Sequence, residues 1–361
     1  MADVKVMIVS SMMTRAVLDS IADALSNRGL SVAVSGDAAA EITGVDCVIF
    51  HGTGLDMPNL TRRLEAQGPD RPAVIVWLSE PLPPDGTTRA MMGIGRALSP
   101  ARFPARWVQP FLHGTSRPIL KSLLLFQNHE IGDVNTSLFR YCIDNLIWLE
   151  RGRDKKWLDL VAASTHHKHC QLQEYGFRSV FLPVGQQEVL GRDLGTPKDI
   201  DVLFIGSLKS VRRRRSLEHL RTELEALGHS LHVPSGRVYG EDRVTLVNRA
   251  KIMLHVQQFP SDTPWIRWLI ASANGAVMAS EPLVDPYPLI PDKDYLSAPL
   301  DRLAEHIRQL LSDEERLRDM LQSCRNTIEN HMTLDISADR LASEIFALVD
   351  ARKTSLNYRG P

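Results

Sequence analysis

Short apolar runs alternate with amphipathic stretches along most of the chain, the pattern imposed by parallel strands joined through crossover helices. Residues 4–11 form the first apolar run. In the next stretch Val17, Leu18, Ile21, Ala22 and Leu25 recur at helical spacing, and Gly29 marks where that helix should stop. Further strands are expected at 31–35, 45–52, 73–79, 158–164 and 179–184. Proline and glycine crowd residues 81–118, where irregular structure and short strands are expected. Periodicity weakens over 185–198, and alternation restarts with strands at 201–207, 231–234, 251–256 and 276–280. A late helix carries Leu300, Leu303, Ile307, Leu310 and Leu311, followed by another pattern through Leu317, Met320 and Leu321. Residues 351–361 lack periodicity and are expected to fray.

A chain of 361 residues exceeds the size at which one core usually stops growing. Two α/β domains are therefore expected, over 1–190 and 199–345, joined by the weakly patterned stretch and followed by a tail at 346–361. Hydrophobic residues at 43% and charged residues at 24% fit a globular protein and disfavour extended disorder. A formal net charge of -1 disfavours a protein that holds nucleic acid through global charge. Cys47, Cys142, Cys170 and Cys324 are widely separated and read as free thiols in a reducing cytoplasm. The first apolar run is too short to span a bilayer and polar residues follow it, so a strand is expected there and no transmembrane segment.

Candidate chemistry concentrates in the second half. The run Asp201-Val-Leu-Phe-Ile-Gly206-Ser207 ends on small residues, and Arg212, Arg213, Arg214 and Arg215 open the next helical pattern. Backbone N–H groups, a helix N-terminus and fixed positive charge converge there, which is a layout for phosphate. The arginines face different sides of a helix, so at most two of them can point to one ligand. His255 closes the apolar run 251–256, at the strand end where open sheets bind ligands.

With Lys251-Ile-Met-Leu-His255-Val256 and the segment from Arg267 through Gly275 to Ser280-Glu281-Pro282, these pieces resemble the C-terminal domain of GT-B glycosyltransferases, particularly the CgeB-like group. The resemblance implies two Rossmann-like domains facing across a cleft, a nucleoside diphosphate sugar donor and a hydroxyl-bearing acceptor that is a saccharide, a lipid-linked saccharide or a small molecule. It implies that Arg212, Arg213 and Arg267 meet the diphosphate, beside Gly206 and Ser207. Tyr239 lies in Pro234-Ser-Gly-Arg-Val-Tyr239-Gly240-Glu241, which is similar to a loop approaching the base and ribose. His255, Ser280 and Glu281 complete the implied donor site. Many retaining relatives carry a pair of glutamates on this segment, and the corresponding residues here are Asp262 and Ile270. An isoleucine cannot bond a ribose, so Glu281 takes that role or the chain is a non-catalytic protein that binds a sugar nucleotide or a partner enzyme. Lipid-linked acceptors of such enzymes are compatible with peripheral contact at the inner face of a membrane.

In the first half, Ser10-Ser-Met-Met-Thr14 lacks the glycine-rich turn of a dinucleotide fingerprint, which disfavours a nicotinamide cofactor, and no cofactor is expected. His51 and Glu80 follow the third and fourth strands and are the candidate general bases for an acceptor hydroxyl. His166, His167 and His169 lack a partner at ligand spacing, and Asp199-Ile-Asp201 lies at a strand beginning, so metal-independent donor binding is expected.

Overall fold

The computed structural model describes residues 4–37, 41–52, 57–85, 87–97, 136–258, 262–264 and 266–357. They form two compact units, one of the described residues up to Pro183 together with the helix Leu334–Asn357, the other Val184–Thr333. The larger part of the 81–118 stretch lies outside the described residues.

The first unit is built on a parallel sheet of six strands: β1 (Val4–Ser10), β2 (Leu30–Ser35), β3 (Cys47–His51), β4 (Ala73–Leu78), β5 (Leu160–Ala163) and β6 (Ser179–Phe181). Their order is β2-β1-β3-β4-β5-β6. Every residue of β3, β4 and β5 is buried, as expected of central parallel strands covered on both faces, whereas β2 at the edge mixes buried and exposed positions. The helix Arg15–Ser26 turns its apolar stripe inward and ends through Asn27 into Gly29, whose φ of +83° is the left-handed conformation that favours glycine. On the opposite edge from the strand ends, Asp159 accepts from both terminal nitrogens of Arg71, at 2.7 and 3.1 Å, and from the Val74 N–H at 2.8 Å.

The second unit carries β7 (Ile200–Leu203), β8 (Leu231–His232), β9 (Ala250–His255), β10 (Val277–Ser280) and β11 (Leu296–Ser297) in the order β11-β10-β9-β7-β8, again all parallel. Its core interleaves Val202, Phe204, Ile252, Leu254, Val277 and Ala279 of the sheet with Leu217, Leu220, Leu224, Leu303, Ile307 and Leu310 of the helices Val211–Ala226 and Leu300–Leu311. Register sets His255 beside Ser280 and Leu203 beside Met253, so the chain leaves β7, β9 and β10 on one edge.

Three expectations are corrected here. Residues 81–97 end in a helix, Arg89–Ala97, and contain no strand among the described residues. The weakly patterned stretch 185–198 is tied into the second unit: the Leu194 N–H donates to Asn248 Oδ1, Asn248 Nδ2 donates to Arg192 O, and Arg243 donates to the carbonyls of Val189 and Leu190. The expected second domain and tail share a single helix, Leu334–Asn357, which groups with the first unit. It buries Leu341, Ile345 and Leu348 there and places Asp335 and Asp339 3.1 and 2.6 Å from Arg28.

Candidate functional site

The carboxyl edge of the second sheet gathers Gly206 after β7, His255 at the end of β9 and Glu281 after β10, the side on which open α/β sheets hold ligands. Ser210 caps the helix Val211–Ala226 through the Arg213 N–H, and its own hydroxyl donates to Gln258 O at 3.2 Å. The helix start is thus pinned to the loop that follows β9. Residues 206–209 in front of it are exposed.

The arginine run divides as helical geometry requires. Arg214 and Arg215 are exposed, and Arg214 folds back onto the carbonyls of Leu208 and Lys209. Arg212 forms a two-pronged ion pair with Glu281, with one contact at 2.9 Å to Oε1, and also donates to Gln257 O. Glu281 accepts in addition from the Gln257 N–H at 2.8 Å. Arg213 is fully buried: Nε donates to Val256 O at 2.7 Å, Nη1 to Ser207 O at 3.3 Å and Nη2 to Asp262 Oδ2 at 3.2 Å. Burial first, and then the neighbouring Arg267 charge, pull its pKa down to about 9. Arg213 braces the Ser207 turn from inside and presents no open donor face, which corrects its expected direct contact with a diphosphate.

Arg267 opens the helix Arg267–Ala273 and is partly exposed. Its Nη1 lies 2.6 Å from His255 Nδ1. A guanidinium only donates, so Nδ1 must be the bare nitrogen of a neutral imidazole, and the proton sits on Nε2, 3.3 Å from the Asp262 carbonyl. Burial, with Arg267 and Arg213 nearby, holds the His255 pKa well below the usual histidine range, which agrees with that tautomer. Arg213 and Arg267 both lie over the Phe204 ring, 5.7 and 5.9 Å from its centroid. A Cβ on Gly206 would meet Arg267 Nη2 at 2.7 Å and Phe204 Cζ at 2.9 Å. A side chain at this position would have to displace the guanidinium or the ring.

Arg212, Arg213 and Arg267 thus face the carboxylates of Glu281 and Asp262, and Arg267 bonds an imidazole where the other two bond acids. Among these five charged groups one positive charge is in excess. Ser280 is buried with its hydroxyl donating to Glu281 O, so its side chain is occupied within the protein. Tyr239 is 60% exposed at the start of the helix Gly240–Asn248, and no contact joins it to the arginine cluster among the described residues. Ile270 is buried in its helix. Asp262, the counterpart of one of the paired glutamates, joins the cluster through Arg213, and Gln257 and Phe204 complete it, their roles coming from strand order and not from motif spacing.

In the first unit His51 is 1% exposed, with Nδ1 3.0 Å from Ser10 Oγ and Nε2 2.9 Å from Ser79 Oγ. Burial lowers its pKa to about 4. Both ring nitrogens are engaged inside the fold, which corrects the expectation that His51 offers a base to an acceptor. Glu80 is partly exposed, accepts from the Tyr141 hydroxyl at 2.5 Å, and has a pKa raised by burial against the opposing Tyr141 bond and Lys168 charge. The acidic pair at the start of β7 already has partners: Asp199 bonds Arg249, and Asp201 bonds Lys251 and His229. No helix among the described residues is long and apolar enough to cross a membrane.

Solved structures with this fold include HepE of Anabaena in complex with UDP-glucose, at 10% identity and a TM-score of 0.55, covering 95% of this chain and 99% of that one. The pneumococcal O-GlcNAc transferase GtfA in complex with UDP and GlcNAc gives 10% identity and 0.53 over 84% of this chain. This chain spans 57% of the length of GtfA. A UDP-N-acetylglucosamine 2-epimerase is similar at 11% identity, with a TM-score of 0.53 over 97% of this chain and 98% of that one. No curated protein matches by sequence. The two parallel sheets are those of the GT-B class, as expected. Residues 209–343, which hold Arg212, His255, Arg267 and Glu281, match the family model described as glycosyl transferase-like.

Proposed function

We propose that the chain is a glycosyltransferase of the CgeB-like type that moves a hexose from a nucleoside diphosphate sugar to a hydroxyl acceptor, with retention and without a divalent metal. The observation that carries this reading is the unbalanced guanidinium cluster beside the exposed Gly206-Ser207 turn and the capped helix start. The diphosphate lies against the N–H groups of that turn, with Arg267 in contact and Arg212 exchanging part of its bond to Glu281 for a phosphate oxygen. These cations stabilise the charge that grows on the leaving diphosphate as the glycosidic bond breaks. Glu281, freed in part, accepts from the ribose, and the Tyr239 loop covers the base. On the first unit Glu80 is the proton acceptor for the hydroxyl.

Like folds serve an epimerase as well as transferases, so fold alone does not choose the reaction. The match over 209–343 favours transfer. A second reading, a GT-B protein that binds a sugar nucleotide without catalysis, is favoured by Ile270, whose buried side chain gives a ribose nothing to bond.

Calorimetric titration with UDP and GDP in excess chelator, followed by magnesium, tests the donor assignment. Binding that persists in chelator is expected, because Asp199 and Asp201 are already tied to Arg249, Lys251 and His229; strict magnesium dependence would overturn the metal-independent reading. Binding without donor hydrolysis or transfer across a broad acceptor panel would favour the second reading.

A further inference from the structure

The carboxyl edge of the first sheet holds a polar cluster that donor binding does not use. β1, β3 and β4 bring Ser10, His51 and Ser79 together there, each buried and joined through the imidazole. Glu80 is next in the chain. From the helix His166–Glu174 comes Lys168, itself buried, whose ammonium donates to Ser79 O at 2.5 Å. From the helix Thr136–Asp154 comes Tyr141, whose hydroxyl donates to Glu80 Oε2 at 2.5 Å. The neighbouring Asn145 on that helix donates to Pro81 O at 3.1 Å, so the segment around Glu80 is gripped on both sides. Lysine is rarely buried to this degree, because its charge loses hydration. A buried ammonium fixed on the carbonyl of the residue before a carboxylate therefore calls for an account.

We propose that Lys168 and Tyr141 are positioning residues for Glu80: the phenol fixes one carboxylate oxygen, and the ammonium fixes the carbonyl of Ser79, the residue before it, so that Oε1 is held to take a proton from a hydroxyl bound at this edge. The inference rests on reading Glu80 as the acceptor-side base. In the step it serves, the hydroxyl proton moves to Glu80 Oε1. The hydroxyl oxygen bonds the anomeric carbon, and the electrons of the broken glycosidic bond leave on the diphosphate oxygen. Burial alone drives Glu80 toward its protonated form, in which it cannot act as a base. The Tyr141 hydrogen bond and the Lys168 charge both act against that. The other titratable groups around it are His51 behind Ser79, Cys142 beside Tyr141, and Asp85 further along the loop, which Gln171 bonds at 2.8 Å and His167 approaches at 3.2 Å.

The test is the titration of the Glu80 carboxyl carbon by NMR in the full chain labelled with ¹³C-glutamate, its signal assigned by its loss in Glu80→Gln. Lys168→Met and Tyr141→Phe should each move the titration upward by about one unit, the size expected on losing a nearby opposite charge or a bond to the charged form. Lys168→Arg should keep it near the wild-type position. The acidic limb of the pH–rate profile, followed by donor hydrolysis, should move with the NMR midpoint. Should Lys168→Met fail to fold, Tyr141→Phe carries the same reading. A Glu80 titration that stays in place in the variants overturns the positioning role. A titration that moves while Glu80→Gln keeps full turnover upholds the electrostatic coupling and removes Glu80 as the base, so the two failures are distinguishable.

Discussion

At the residue scale the cluster separates groups that hold the fold from groups that can meet a ligand. Arg213 is spent on Val256, Ser207 and Asp262, whereas Arg267 bonds a neutral ring and keeps donors in reserve. Arg267→Ala should weaken nucleoside diphosphate binding more than tenfold, about 1.4 kcal/mol or above, and should also lower the melting temperature, because the buried His255 Nδ1 loses its donor. Unchanged affinity by calorimetry would take Arg267 out of the site. Gly206→Ala tests the same geometry from the backbone side. The added methyl would press on the Phe204 ring and the Arg267 tip, and the buried ring has the less room to move. Displacement of Arg267 should lower diphosphate affinity, with a stability loss of about 1 to 3 kcal/mol typical of overpacking. Wild-type affinity with an unchanged melting curve would show that the contact is not needed.

At the scale of elements, the strands were legible wherever burial on both faces made a continuous apolar run, as in Ala73–Leu78 and Ala250–His255. The order Gly206, Arg212, His255, Arg267, Glu281 was legible too, because parallel strands deliver their C-terminal ends to one edge. Which arginine turns inward was not: Arg212 and Arg213 are neighbours in sequence, and only the rotation of their helix against β9 separates them. The helix Thr136–Asp154 is not among the expected elements, although Phe139, Cys142, Ile143, Leu146 and Leu149 recur in it at helical spacing and are buried. The last helix shows its periodicity, but nothing local in it states that it returns to the first unit. That return carries a prediction. Ile345→Asp buries an unpaired carboxylate against the first unit and should destabilise it by about 3 kcal/mol or more, leaving diphosphate binding by the second unit in place. Loss of both together in urea titrations followed by calorimetry would contradict the assignment of that helix.

At the scale of the whole molecule, a chain with a formal charge of -1 buries two neutral histidines at the ends of strands, His51 in the first unit and His255 in the second. Both have lowered pKa values, so below the ordinary histidine pKa the unfolded chain takes up protons that the folded chain refuses. Stability therefore rises with pH across that window and falls as the solution is acidified. For His51 the window runs from about 6.5 down to about 4. By pH 5, above the range in which most carboxylates titrate, the loss from this residue alone should be about 2 kcal/mol. His255 acts in the same sense on the second unit. Urea unfolding at pH 7 and pH 5 should show both transitions moving to lower denaturant, and His51→Gln should flatten the pH dependence of the first unit only. A wild-type first unit as stable at pH 5 as at pH 7 would mean that His51 takes its proton without breaking the bonds to Ser10 and Ser79, and that the ring is less tightly held than its burial implies.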